Sequence, residues 1–203
     1  MPRVATVGTF LLASCELTQG QWSALATRAG RSGSDLAPWS DVSPASEVGG
    51  TATSADLPAF GISYDLLVAT LSAYNATAIS GAPTLRLPSE AEWEHACRAG
   101  ALTRYAWGEA EDLVTVSRYA LVRETRTHMG ADLVARRLAN AFGFYDMAGN
   151  VWEWVESGVT ADPILRGGSW SDNLLSARAA NRQRLDRAIP YGLAGVRLVL
   201  VMP

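Results

Sequence analysis

The side chains that could carry chemistry are few, and their spacing decides most of them. Cys15, Cys97, His95 and His128 are the thiols and imidazoles of the 203 residues. Their separations match no zinc motif, and two cysteines are too few for a disulfide framework. His95 and Cys97 stand two apart on what reads as a helix, so they point to different sides of it. Glu90, Glu92 and Glu94 read as a solvated helix start that favours the positive end of the dipole, rather than as a glycosidase pair. Gly167-Gly168-Ser169-Trp170-Ser171 has the outline of a nucleophile elbow, but the final Gly is missing and neither a following helix nor a poised His supports it. All seventeen basic residues are Arg. Without Lys, Schiff bases, Walker A loops and kinase-type phosphate clamps are excluded.

The elements that would position these groups can be read from local signals. Thr18-Gln19-Gly20-Gln21 is a capping box, followed by Trp22, Leu25, Ala26 and Ala29 at helical spacing, with Gly30 as the stop. Ser89-Glu90-Ala91-Glu92 is a second box, with Trp93, Ala96 and Cys97 as its buried stripe and Gly100 at its end. A third helix is predicted from Tyr64 to Tyr74, capped by Ser63. Residues 31–58 have no period and read as loop, and residues 100–140 read as mostly irregular. Val151-Trp152-Glu153-Trp154-Val155 alternates as a strand does. Gly195-Val196-Arg197-Leu198-Val199-Leu200-Val201 reads as one buried strand. Val4 to Ala13 reads as a first strand, expected to pair with the last one, because an apolar terminal strand left as an open edge would aggregate. The expectation is one loop-rich α+β domain over residues 1–203.

Composition limits the partners. Apolar residues make up 48% and charged residues 18%, enough for a buried core. The formal net charge of −3 argues against an electrostatic grip on nucleic acid. No apolar run is long enough to span a membrane. Leu12-Ala13-Ser14-Cys15 has the form of a lipoprotein cleavage site, but a single Arg and a short, broken apolar run precede it. The default expectation is therefore a cytoplasmic protein.

Three blocks carry a resemblance. They are Leu87-Pro88-Ser89-Glu90-Ala91-Glu92-Trp93-Glu94, the stretch Asn140-Ala141-Phe142-Gly143-Phe144-Tyr145-Asp146-Met147-Ala148-Gly149-Asn150-Val151-Trp152-Glu153-Trp154, and Leu165-Arg166-Gly167-Gly168-Ser169-Trp170. In this order they resemble the formylglycine-generating-enzyme-like, or sulfatase-modifying-factor, family. That resemblance implies a C-type-lectin-type α+β fold. It runs from Phe10 and Glu16-Leu17-Thr18 to Gly195-Val196-Arg197-Leu198 and is weak over residues 31–58.

Fold does not fix function. The enzymes of this family oxidise a client cysteine with two reactive thiols and copper. The resemblance puts those thiols at Asp172 and Ala177, neither of which is a thiolate or a Cu(I) ligand, so no copper is expected. It also implies a Ca²⁺ loop at Asp146, Gly149, Val151 and Glu153, oxygen donors suited to that hard cation. The C-terminus is most similar to the variable proteins of diversity-generating retroelements. Arg166-Gly167-Gly168-Ser169-Trp170, Arg178, Asn181, Arg182 and Gly195-Val196-Arg197 stand at scaffold positions, with Val196 in place of the usual aromatic. Between them, Trp170, Asp172, Asn173, Leu175, Arg184, Leu185, Ile189, Tyr191 and Leu193 mix apolar, charged and aromatic side chains without a period, as a binding face does. The resemblance implies a non-catalytic ligand-binding protein with a diversified segment at about 166–197, directed at a protein or cell-surface ligand. The alternative is a thiol oxidase of the family or a degenerate member of it.

Overall fold

The computed structural model describes residues 8–42, 55–157 and 162–203. Helix α1 (Gln19–Arg28) begins at the predicted box: Gln21 N–H donates to the Thr18 hydroxyl, and the Gln21 side chain accepts from Thr18 N–H. The loop behind it contains a 3₁₀ turn (Gly33–Leu36) and a four-residue helix, α2 (Trp39–Val42), both absent from the sequence reading; residues 43–54 of that loop lie outside the described residues. Trp22 Nε1–H donates to the Asp35 carbonyl and Ser23 to that of Leu36, which ties this turn to α1. Helix α3 (Tyr64–Ala76) is capped by Ser63 as expected. Helix α4 (Glu90–Arg98) carries the second box and buries Trp93, Ala96 and Cys97. Its chain turns away at Ala99, in the left-handed region at φ 47°.

Helix α5 (Leu113–Tyr119) lies in the stretch that reads as irregular. Only Val116 of it is buried, while Leu113 and Val114 face solvent, so no apolar stripe announces it.

Among the described residues, seven short strands form two sheets. Strands β1 (Leu11–Leu12) and β2 (Thr84–Arg86) flank β7 (Val199–Val201) in an antiparallel sheet, with Leu11 opposite Leu200 and Leu85 opposite the same Leu200. The C-terminal strand thus pairs with the N-terminal one. The pairing is confined to Leu11 and Leu12; of the predicted strand, residues 4–7 lie outside the described residues. The second sheet has the order β5 (Gln183–Arg184), β4 (Ile164–Arg166), β3 (Trp152–Val155), β6 (Ala194–Gly195), with only the β3–β6 pair parallel.

The strand predicted over residues 195–201 is therefore divided between two sheets. The break falls at Arg197, which is 0% exposed. A buried guanidinium must find a carboxylate, and the chain leaves the second sheet to bring this one to Glu153.

Alternation along β3 serves two buried layers. Trp152 and Trp154 enter the main core with Trp22, Leu67 and Leu165. Val155 packs on the other side with Trp93 and Ile164, and Glu153 faces Trp93 there. The face of the second sheet toward α4 thus holds carboxylate and guanidinium groups, while the opposite face is apolar.

Candidate functional site

Two arginines fasten the C-terminal segment. Arg166, on β4, is 1% exposed and lies over the Trp93 ring at 5.2 Å. It donates to Glu94 (2.6 Å), to Glu90 (3.2 Å) and to the carbonyls of Ala179 (2.6 Å) and Ala180 (3.3 Å). Arg197 donates to both oxygens of Glu153 (2.8 and 2.7 Å) and to the carbonyls of Tyr145 and Ala13. Burial alone would lower the Arg197 pKa, but the charge and hydrogen bonds of Glu153 raise it, so the guanidinium stays charged. Arg178 and Arg182, which the resemblance places in the scaffold, are not part of this buried fastening. Both are exposed: Arg178 reaches the nearby Leu175 carbonyl and Arg182 pairs with Glu90 at the surface. Asn181 is half-buried and donates to the Ser176 carbonyl, which does hold the loop as expected.

The nine predicted contact residues divide by environment. Leu175, Arg184 and Ile189 are exposed. Trp170, Asp172, Asn173, Leu185, Tyr191 and Leu193 are half-buried. Three of them gather around Trp152: its ring N–H donates to Asp172 (2.8 Å), its backbone N–H donates to the Leu193 carbonyl, and the Tyr191 hydroxyl titrates above its usual range through burial and the Asp172 charge. Trp170 packs against Phe60, Ala131 and Val151, with Arg126 5.5 Å above its ring. Arg184 and Leu185 lie at the opposite edge, where Arg184 pairs with Ile164. Leu185, Tyr191 and Leu193 pack against the main core, so they support the surface as well as facing it. Arg126 was missed by sequence reasoning; it sits in an aperiodic stretch, and no spacing links it to Trp170.

This division makes a prediction. Replacing Leu175 and Ile189 together by Asn is expected to leave stability within about ±0.5 kcal/mol per site. The same change at Leu185 and Tyr191 is expected to cost about 2–4 kcal/mol, because each loses burial against the core. Urea unfolding of the two double variants checks the contrast.

At the positions implied for reactive thiols, the Asp172 carboxylate accepts from Trp152 and from the Ser169 hydroxyl, and Ala177 is buried. Burial pushes the Cys97 thiol up to about 12, and Cys15 is raised by partial burial as well. Neither is the depressed thiol that nucleophilic chemistry needs. The Leu12–Cys15 stretch is built into the fold, with Leu12 paired to Val199 and Cys15 half-buried.

Of the residues implied for calcium, the two carboxylates already accept hydrogen bonds from within the fold. Glu153 Oε2 accepts from Trp93 Nε1–H (2.6 Å) and from Arg197, and Oε1 accepts from Arg197. Asp146 Oδ2 accepts from Ala135 N–H. Gly149 N–H donates to the Gly167 carbonyl and Val151 N–H to Glu16 (3.4 Å). Burial, with the charges of Asp146 and Glu153, holds Glu16 well above the usual carboxylate range, and burial raises Asp146 too. Among the described residues no group of three His, Cys, Asp or Glu is disposed to hold a metal ion. Arg197 already occupies the carboxylate a calcium ion would require. The expected result is one melting curve in excess calcium and in chelator; a rise with calcium would mean that the ion binds the folded state.

Residues 2–202 match the family described as Sulfatase-modifying factor enzyme 1-like domain. The formylglycine-generating enzyme of Mycobacterium tuberculosis is 42% identical over 77 residues, which span 34% of this chain and 26% of that enzyme. Treponema denticola variable protein 1 superposes with a TM-score of 0.72 at 19% identity, covering 96% of this chain and 84% of its own. PvdO from Pseudomonas aeruginosa superposes with a TM-score of 0.74 at 19% identity, covering 95% and 80%. The backbone path, with its two small sheets and long supported loops, is that of these neighbours, a C-type-lectin-like fold. The chain belongs to the Sulfatase-modifying factor enzyme 1-like domain family.

Proposed function

We propose that this chain is a non-catalytic ligand-binding protein, a single domain whose segment at about 166–197 is a diversified recognition surface for a protein or cell-surface ligand. The observation that carries this reading is the fate of the two thiol positions. Asp172 is a hydrogen-bond acceptor for Trp152 and Ser169, and Ala177 is packed inside. An oxidase of this family would need soft ligands there. The likeness to a protein named as a variable protein, over nearly the whole chain, supports the same reading. Arg166 fastens the segment from inside through the Ala179 and Ala180 carbonyls, while Leu175, Arg184 and Ile189 are exposed, so such side chains are exchangeable without loss of the core. The identity to a formylglycine-generating enzyme favours a second reading, a thiol oxidase or a degenerate member of that group.

Two measurements separate them. Incubated with copper and a cysteine-containing peptide, the protein is expected to leave the peptide mass unchanged; an aldehyde product would establish the oxidase. The DNA beside the coding sequence is expected to hold a reverse transcriptase and a near-copy of the 3′ end. Differences between copy and coding sequence are expected at codons such as those for Leu175, Arg184 and Ile189, and not at those for Arg166, Gly168 or Arg197. A copy that differs at the latter codons would remove the division between scaffold and contact residues.

A further inference from the structure

An apolar cleft of about 620 Å³ opens on the side of the molecule built by α1 and the first sheet. Its walls follow from register and helical period. Leu11, Leu200 and Leu85 are direct cross-strand partners on β1, β7 and β2, so they form one row on one face of that sheet. Facing the row, α1 presents Gln21, Ala24, Leu25 and Arg28, spaced i, i+3, i+4, i+7. Leu17 and Leu198 also line it. The small side chain of Ala24 leaves room in the helical wall.

The polar groups of the cleft are unequal. Gln21 uses its side-chain oxygen in the capping box. Among the described residues, Arg28 is the only charged one lining the cleft. Its ring neighbour Tyr74 lies 5.0 Å from the guanidinium carbon, and its Nε–H donates to the Thr77 hydroxyl at 3.2 Å. The guanidinium is thus stacked and oriented, yet among the described residues it forms no ion pair, and its terminal nitrogens remain available. Such a fork matches a carboxylate in two-point geometry. Nearly two turns of helix, about 10 Å, separate it from Gln21 along an apolar wall.

We propose that this cleft binds a medium-chain alkyl carboxylate, the acid on Arg28 and the chain between the leucine row and α1. The chemistry of the walls favours a hydrocarbon chain over an extended peptide. A peptide laid in this cleft would bury N–H and C=O groups, and the walls offer few side-chain partners for them. An alkyl chain has no such groups. The volume is that of a small-ligand site rather than of a protein interface. The site lies on elements of the N-terminal half and on the C-terminal strand, and does not depend on the recognition segment.

The test is titration calorimetry of the full chain with octanoate, decanoate and dodecanoate, and with decyltrimethylammonium. Saturable one-to-one binding is expected to tighten roughly threefold to fourfold for each added methylene. Arg28→Gln is expected to weaken decanoate by about tenfold or more, as loss of a charge-assisted fork does. Ala24→Trp fills the cleft and is expected to abolish binding. Arg28 is exposed, so Arg28→Gln reports even if Ala24→Trp fails to fold. The proposal is overturned if decanoate shows no saturation, if Arg28→Gln binds it unchanged, or if decyltrimethylammonium binds as tightly. It is equally overturned if sedimentation shows a dimer that Ala24→Trp dissolves while no carboxylate binds, for the cleft would then be a contact between copies.

Discussion

Arg197→Met is expected to destabilise the protein by on the order of 3–5 kcal/mol, the cost of breaking a buried ion pair from one side. The side chain is fully buried, and Glu153 beside it is 1% exposed. Methionine fills much of the volume but leaves the Glu153 carboxylate without its cation, in a region already holding the buried acids Glu16 and Asp146. The carbonyls of Tyr145 and Ala13 lose a donor as well. These two carbonyls come from the loop before β3 and from the end of β1, so one guanidinium closes the C-terminal strand onto both. A second change, Glu153→Gln, made in the Arg197→Met background should restore part of the loss, because it removes the unpaired charge. Arg182→Ala is the contrast. Arg182 pairs with Glu90 at the surface, and its loss is expected to cost no more than about 1 kcal/mol. Urea unfolding of the four proteins measures all of these. Equal losses at Arg197 and Arg182 would show that the buried pair does not hold the fold.

The same comparison explains what the sequence could reveal. Helices α1, α3 and α4 were legible because a local cap comes with an apolar stripe: Thr18 with Gln21, Ser89 with Glu92 and Ser63 each lie within one turn of the bond they make, whereas α5 has its Asp112 cap without such a stripe. The three motif blocks were legible as a family pattern and carried the fold. The roles of individual arginines were not. Arg166, Arg178, Arg182 and Arg197 are one residue type, and only contacts with residues far away in sequence separate the buried pair from the exposed one. Glu153 meets Arg197 across 44 residues, and Glu94 meets Arg166 across 72. For the same reason the run ending the chain reads as one strand, when Arg197 divides it.

The candidate site was legible as a segment and not as a surface. A mixed, aperiodic composition marked residues 170–193 as something other than core or plain loop. It could not tell Leu175, which points to solvent, from Leu185, which leans on the core. That difference arises where the chain passes from β5 over the second sheet to β6, bringing Tyr191 and Leu193 back to Trp152. Of the expected recognition residues, Leu175, Arg184 and Ile189 are exposed and Trp170, Asp172, Tyr191 and Leu193 are half-buried, with Arg184 at the edge opposite the Trp152 cluster.

Gly149→Ala is expected to damage both fold and face. Gly149 has φ 85°, and a Cβ there would stand 1.9 Å from the Leu121 carbonyl oxygen and 2.6 Å from its carbon. Backbone cannot swing aside as a flexible side chain can. The segment at Leu121 must therefore move, and the bond from Asn150 N–H to that carbonyl (2.8 Å) moves with it. Left-handed strain and overpacking together should cost about 2–5 kcal/mol. In a chain of this size that lowers the melting temperature by roughly 10 °C. The damage reaches the expected recognition segment because the displaced stretch continues into Arg123, whose N–H donates to the Asp172 carbonyl, and Arg126, which covers Trp170. Gly143→Ala separates the two causes. Gly143 has φ 84°, but nothing lies within 4 Å of its Cβ position, so that variant carries the strain without the clash. It is expected to lose about 1 kcal/mol. Thermal melts that place both variants together would mean that the close approach of Gly149 to Leu121 does not constrain the fold. A melt far lower for Gly149→Ala would identify that contact as the point where the loop carrying Arg126 is fixed against Trp170.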